Sequence, residues 1–411
     1  MNFTAKLLPG CRHTTDLTFT PIQVTFRVFV LPCTCLFGIF ANLCNVYVFT
    51  NKKMRSHLVN YFLLCLAITD AIVLFTSFFV FCFPVIAEYT ENEDLVGFAP
   101  TALSIFYPLA HTAHTYSVYL TTLVSVHRYL GVCHPFLVRR LSNKSVVLKI
   151  IFASFVGSVA FNIPRWMELI AIPCLSEVWK RPSVMIAPTN FMLGRTYTIV
   201  YRNVLYTLIM FAVPFTVLTW VNCRIVAALK LSKIIRKKMT QTLTDEPSRS
   251  LSFTMRPLQT PTQENSSRAS TKSNKDIRKE RKETSITIML VAMVTGFIYF
   301  NMLAFINNLF ELFGIDAVMT DYYTMMVEGS TFLVCINGAS TIVIYILFSS
   351  KYRLILYKAI MESCNLHIIK GLCCKSQDDY RNGASLIRPR NKCYQPRFFD
   401  NNNNNNKMSL R

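Results

Sequence analysis

The chain alternates long apolar runs with short polar stretches, and the runs share one length. Crossing the roughly 30 Å hydrocarbon core of a bilayer takes about 20 apolar residues as a helix. Segment one lies between Arg27 and Lys52 and carries no charge. Segment two covers about residues 58–84 and is broken only by Asp70. Segment three covers about 97–126. Segment four, about 145–167, reads as the weakest, because its charge-free centre between Lys149 and Arg165 is short and both ends must snorkel. Segment five covers about 199–229 with Arg202 at its start, segment six 284–310 and segment seven 323–350. The pattern predicts an all-α membrane protein, a seven-transmembrane helix bundle over residues 26–350. Helices are required because backbone groups left unsatisfied in lipid are costly.

Loop charge then predicts orientation. Lys52, Lys53 and Arg55 follow segment one, Arg139, Arg140 and Lys144 follow segment three, and a long basic connection follows segment five. The alternate loops are acidic, with Glu88, Glu91, Glu93 and Asp94 in one and Glu311, Asp316 and Asp321 around another. Lys and Arg accumulate on the cytoplasmic side. The expectation is a multi-pass plasma-membrane protein with its N-terminus (1–25) outside and its C-terminus in the cytoplasm. The first 25 residues are mixed and polar without a signal-peptide pattern, so segment one is expected to serve as the targeting segment.

Composition agrees. Of 411 residues only 16% are charged, against about 25% in soluble domains. A net charge of +21 invites a nucleic-acid reading, which the confinement of Lys and Arg to a few loops rejects. Most of the 14 cysteines lie in apolar runs or the tail; only Cys11 and Cys174 are placed to face an oxidising space.

Residues 240–276 are rich in Ser, Thr, Pro and Gln and read as a disordered cytoplasmic loop with phosphorylatable hydroxyls. Asn2-Phe-Thr is a glycosylation acceptor on the correct side; Asn265-Ser-Ser is on the wrong one. Over 351–362, Tyr352, Ile355, Leu356, Ala359 and Ile360 share a face, which predicts an amphipathic eighth helix on the membrane surface. Cys364, Cys373 and Cys374 beyond it are palmitoylation candidates, and 363–411 reads as a disordered cytoplasmic tail.

Several motifs carry a resemblance. Segment one has Gly38-Ile-Phe-Ala-Asn42, segment two Leu66-Ala-Ile-Thr-Asp70, and segment three ends His127-Arg-Tyr-Leu-Gly-Val-Cys-His-Pro135. Segment five has Pro214 and Asn222-Cys-Arg224, and segment seven has Asn337 and Tyr345. Over about residues 25–365 the chain resembles the rhodopsin-like G protein-coupled receptors. With Asn162-Ile-Pro-Arg-Trp-Met-Glu168 added, it is similar to invertebrate FMRFamide-type neuropeptide receptors.

The resemblance implies roles. Arg128, Tyr129, His127, Glu283, Asn222 and Tyr345 would form the switch that couples to a heterotrimeric G protein, with Glu283 restraining Arg128. Arrestin, a receptor kinase and membrane lipids are the further partners implied. Asp70, Ser117, Asn337 and Asn42 would form a polar core, with an allosteric sodium ion as its one candidate cofactor and Thr341 replacing an Asn. The chain also departs from the family. His127 stands where an acidic residue is expected, Phe300-Asn-Met-Leu303 lacks the segment-six Trp and Pro, and Thr341-Ile-Val-Ile-Tyr345 keeps only the tyrosine of the segment-seven motif. The cysteine usual at the outer end of segment three is missing, which leaves Cys174 either free or paired with Cys11.

Glu168, Glu311 and Glu328 lie at predicted helix tops. A carboxylate pairs well with a guanidinium, so a peptide ending Arg-Phe-amide would suit them, its Phe among Phe106, Tyr107, Phe305 and Tyr322. His111 and His114 read as packing or hydrogen-bonding residues, since no Cys or carboxylate joins them at ligand spacing. Neither a phosphate loop, a metal-ligand cluster nor a nucleophile motif marks an enzyme. The expected function is a receptor for an extracellular amidated peptide. The alternatives are a small-molecule chemosensory receptor of the same fold and a non-signalling seven-span scavenger or scaffold.

Overall fold

The computed structural model describes residues 9–11, 21–55, 57–141, 143–244, 264–314 and 320–362. Seven long helices run through them: α1 (Leu31–Thr50), α2 (Val59–Ser77), α3 (Glu93–Cys133), α4 (Lys144–Asn162), α5 (Val213–Thr244), α6 (Glu264–Phe313) and α7 (Thr320–Phe348). Continuous helical paths long and apolar enough to cross a membrane cover Pro21–Thr50, Val59–Tyr89, Lys144–Met167, Tyr197–Ser232, Thr284–Phe313 and Tyr322–Phe348.

The seventh, α3, falls short of that standard, so segment three and not segment four is the least apolar. Its place in the bundle explains why: α3 touches α2, α4, α5 and α6. A helix enclosed by others can carry His111, Thr115, Ser117, Thr121 and Ser125 on inward faces. α4 touches little besides α3, and Phe152 and Phe155 stand exposed on it. In a bilayer such surfaces meet lipid, which keeps this segment strongly apolar.

Local chemistry sets several ends. The Asn92 side chain accepts from the backbone N–H of Asp94 and Leu95 and starts α3, where Glu93 and Asp94 also suit the positive end of the helix. Asn143 caps α4 in the same way. α1, α2 and α7 meet most tightly at Gly38, where an added Cβ would lie 2.6 Å from Leu74 Cδ1 and 2.9 Å from the Ala339 Cβ.

Between α4 and α5, strands β2 (Leu169–Ser176) and β3 (Pro182–Pro188) form an antiparallel hairpin with Leu169 opposite Pro188 and Leu175 opposite Pro182. Strand β1 (Gly10–Cys11) adds in parallel to β2, with Gly10 opposite Leu175. Cys11 and Cys174 form a disulfide that fastens this edge. Near the hairpin the helices loosen into wider π-helical turns at Phe26–Val30, Phe78–Cys82, Tyr197–Leu205 and Leu208–Ala212. Such turns often mark functional regions.

The loop expected over 240–276 is shorter: α5 continues to Thr244 and α6 begins at Glu264, with 245–263 outside the described residues. Residues 264–283 hold many Lys, Arg and Glu, which are good helix formers, and this outweighs their polarity. Residues 350–362 are helical, and Tyr352 and Ile355 in that stretch are buried. Asn2, Cys364, Cys373 and Cys374 lie outside the described residues, as does the tail from 363.

Candidate functional site

A cavity of about 300 Å³ lies within the half of the bundle nearer the hairpin. Its wall includes Tyr107, His111 and His114 of α3, Arg165 beyond α4, Arg202 and Tyr206 before α5, Asn307 and Glu311 of α6, and Tyr323 and Ser330 of α7. Apolar residues such as Val73, Phe81, Phe211 and Val334 complete it. Pockets of this kind combine an apolar lining with a few placed polar groups.

The three carboxylates singled out from sequence are disposed differently from one another. Each faces an arginine of the chain itself. Glu168 is fully buried and is not on the cavity wall, contrary to its expected place at a vestibule. It accepts from Arg165 Nη1 at 3.0 Å, the Tyr107 hydroxyl at 2.9 Å and the Tyr197 hydroxyl at 2.6 Å. A lone charge cannot be buried cheaply. The 3-10 turn Ile163–Met167 places Arg165 where it can reach back to Glu168. Arg165 also lies over the rings of Tyr206 and Tyr201, 4.9 and 5.5 Å from their centroids. Glu328 pairs with Arg27 at 3.0 Å and lies off the main cavity. Glu311 does line it, with Arg202 at a loose 3.8 Å and both side chains about one-third exposed.

Of the expected aromatic residues only Tyr107 reaches the wall. Phe106 stacks on Phe79 at 4.2 Å. Phe305 packs between Phe211 and Phe215, 5.7 Å from each. Tyr322 is exposed, and its neighbour Tyr323 lines the cavity instead. One position on a helix turns a side chain by about 100°, which sequence spacing without a known helix rotation does not resolve. The cavity wall also takes in Arg165, Arg202, Asn307 and Tyr206, beyond the residues expected from sequence. The signal for Arg165 was its i, i+3 spacing to Glu168 at the end of segment four.

Deeper in the bundle Ser117 Oγ donates to Asp70 Oδ1 at 2.7 Å, and both are buried. Asn42 belongs to a different group. Its Nδ2 donates to the carbonyls of Gly38 and Gly338, both at 2.9 Å. Asn45 Nδ2 donates to Asn42 Oδ1 and to Thr341 Oγ1, each at 3.2 Å, and the Tyr352 hydroxyl donates to Asn45 Oδ1 at 2.6 Å. Thr341 is thus engaged with α1, and Asn337 makes no hydrogen bond to Asp70 among the described residues. Asp70 and Ser117 alone fall short of the several oxygens a hard cation takes.

At the other end, His127 packs on Phe62 with ring centroids 5.6 Å apart, and neither ring nitrogen has a hydrogen-bond partner among the described residues. The Tyr129 hydroxyl lies 3.2 Å from His134 Nε2, and its ring lies 5.1 Å from that of Trp220. Tyr345 is buried, with its hydroxyl toward Met293 Sδ at 3.7 Å and its ring edge-on to Phe49. Arg128 and Asn222 are half-buried, and Glu283 lies on α6 with its side chain outside the described residues.

Comparison with known proteins agrees with this architecture. The chain is 25% identical over 324 residues to the FMRFamide receptor of Drosophila melanogaster, covering 77% of this chain and 50% of that protein. It is 27% identical over 367 residues to the FMRFamide peptide receptor frpr-18 of Caenorhabditis elegans, covering 86% and 71%. To the probable G-protein coupled receptor frpr-1 of C. elegans it is 25% identical over 341 residues, covering 79% and 76%. The chain therefore spans about half the length of the Drosophila receptor and about three-quarters of the two nematode ones. The family model of the 7 transmembrane receptor (rhodopsin family) matches residues 41–345. The chain belongs to that rhodopsin family of seven-transmembrane receptors: it is a multi-pass plasma-membrane receptor and not an enzyme.

Proposed function

We propose that this receptor binds an extracellular amidated neuropeptide of the Arg-Phe-amide type and signals through a heterotrimeric G protein. The N-terminus and hairpin then face outward, as loop charge suggests. The observation that carries the reading is Glu311 on the cavity wall, joined to likeness with receptors whose names specify FMRFamide. The Arg202–Glu311 pair is long and partly exposed, so it holds weakly. A ligand guanidinium can replace it with a two-pronged, charge-assisted contact. A cavity of about 300 Å³ admits the last residues of a peptide while the rest lies along the hairpin.

Ligand binding would favour one arrangement of the bundle over another, and the G protein would engage the end around Arg128. Arrestin and a receptor kinase would use the same end once it opens. The segment over 351–362 would lie on the membrane surface, in contact with lipid headgroups.

The test is a G-protein dissociation assay on the expressed receptor with an amidated-peptide library. An Arg-Phe-amide peptide is expected to be active, and Glu311→Gln to lower its potency about tenfold or more, the worth of one charge-assisted hydrogen bond. The same peptide with citrulline in place of Arg is expected to be weak on both. Equal potency on wild type and Glu311→Gln would defeat the assignment of Glu311. A small-molecule ligand is the second reading, since the cavity volume falls at the lower end of the range for such pockets. Activity of small molecules without activity of any amidated peptide would select it. Binding without G-protein dissociation would select the non-signalling alternative.

A further inference from the structure

Three cysteines from distant parts of the chain meet inside the bundle. Cys35 belongs to α1, Cys82 ends the wide turn Phe78–Cys82 that continues α2, and Cys335 belongs to α7. They share one buried apolar cluster with Leu31 and Leu74, each is at most 1% exposed, and all three are free thiols. The Cys35 thiol is hydrogen-bonded to those of Cys335 and Cys82. Apolar packing accounts for a single buried cysteine; it does not require three to touch.

The backbone brings Cys35 and Cys335 into register. α1 and α7 run side by side in the same direction, with contacts of Arg27 to Glu328, Phe26 to Phe332, Gly38 to Ala339 and Asn45 to Thr341. Cys35 stands one turn before Gly38 and Cys335 one turn before Ala339, on the faces the two helices turn toward each other. At that closest approach a Cβ on Gly38 would lie 2.9 Å from the Ala339 Cβ. A disulfide takes Cβ atoms about 3.5–4.5 Å apart, a spacing that helices packed so closely supply one turn away.

The main cavity gives a small molecule a way in. Ser77 lines that cavity and is hydrogen-bonded to the Cys335 thiol. Phe81 and Val334, chain neighbours of Cys82 and Cys335, line it too. A single layer of side chains therefore separates the thiols from the cavity. Hydrogen peroxide is uncharged and little larger than water, so it passes where glutathione does not fit. Burial slows thiol oxidation, so the site responds to sustained oxidant and not to a brief pulse.

We propose that Cys35 and Cys335 form an internal oxidation site, at which peroxide makes a disulfide that ties α1 to α7 behind the cavity wall. Peroxide oxidises one thiol to a sulfenic acid, and one water leaves. The sulfur of the other thiol attacks, the S–S bond forms, and the sulfenic oxygen departs with the remaining protons as a second water. The two thiols give up two electrons and two protons, and peroxide is reduced to water. Cys82 stays a thiol. The site does not depend on which ligand the receptor takes.

The test is peptide mapping of the full chain in membranes, treated with hydrogen peroxide, unfolded in an alkylating reagent and digested without reduction. Wild type is expected to yield a Cys35–Cys335 cross-linked peptide, with Cys82 alkylated. Glutathione added to the folded, oxidised receptor is expected to leave the bond intact, while dithiothreitol added after unfolding removes it. Peroxide is also expected to raise the melting temperature of wild type and not that of Cys35→Ala. Three alkylated thiols in peroxide-treated wild type, or Cys35 joined to Cys82, would overturn the proposal. So would equal peroxide shifts of melting temperature in wild type and Cys35→Ala; if that variant does not fold, the wild-type map alone decides.

Discussion

Arg165 Nη1 lies 3.0 Å from Glu168 Oε1, three residues along one turn, with side chains 3% and 0% exposed. Removing one member of such a pair strands the other charge in the interior, at a cost of about 3–5 kcal/mol. Glu168→Leu is therefore expected to lower the melting temperature of the purified receptor sharply. The double variant Arg165→Met/Glu168→Leu should recover most of that loss, because no charge is left unpaired. Equal melting temperatures for the single and double variants would show that the pair contributes packing and not charge.

The tight meeting of α1, α2 and α7 makes a sharper contrast possible. A Cβ at Gly38 would come within 2.6 Å of Leu74 Cδ1 and 2.9 Å of the Ala339 Cβ, whereas one at Gly338 would meet nothing closer than 3.7 Å. Gly38→Ala should destabilise the bundle by about 1–3 kcal/mol through overpacking. Gly338→Ala should be nearly neutral. Thermal unfolding of both variants in the same detergent or nanodisc decides this.

Tyr352 reaches from beyond α7 into the polar group around α1, donating to Asn45 Oδ1 at 2.6 Å. Tyr352→Phe keeps the ring packed on Phe49 and Tyr345 and deletes only the hydroxyl. The loss of one buried hydrogen bond is worth about 1–3 kcal/mol where the acceptor stays buried. Melting temperature should fall accordingly, while Tyr357→Phe, at an exposed position, should leave it unchanged.

The Cys11–Cys174 disulfide closes a chain loop across 163 residues and holds β1 against β2. Non-reducing peptide mapping should recover a Cys11–Cys174 cross-linked peptide. Cys11→Ser should release β1 and speed proteolysis near the N-terminus, while the helices stay protected. Two free thiols at these positions would contradict the arrangement.

His127 stands beside Arg128 with its ring against Phe62 and presents no anion there. If the Arg128 end couples to a G protein as proposed, an acidic residue at 127 should strengthen the restraint on Arg128. His127→Glu is then expected to lower basal signalling in a reporter assay at equal surface expression. An unchanged basal level would remove His127 from the switch.

The sequence by itself determined the class. Runs of about 20 apolar residues have few ways to satisfy their backbone in lipid, and they reappear as helices, with α5 continued to Thr244 and α6 begun at Glu264, beyond the expected bounds. α3 was legible as a helix because its inward polar residues are spaced among apolar ones. That it is the hub of the bundle, and for that reason the least apolar helix, needed the packing. Tertiary structure also decided the site. Three acidic residues near helix ends looked alike along the chain, yet Glu168 is sealed by Arg165 and two tyrosines, Glu328 is held by Arg27, and only Glu311 faces the main cavity. The physical reason is that a carboxylate's role follows from its distance to counter-charges and to solvent. Apart from the local Arg165–Glu168 contact, those distances arise between helices far apart in sequence, and each helix's rotation about its own axis sets them. Asp70, Asn42 and Thr341 make the same point: grouped in the family pattern, they divide their hydrogen bonds between a Ser117 partnership and a network anchored on Asn45 and Tyr352.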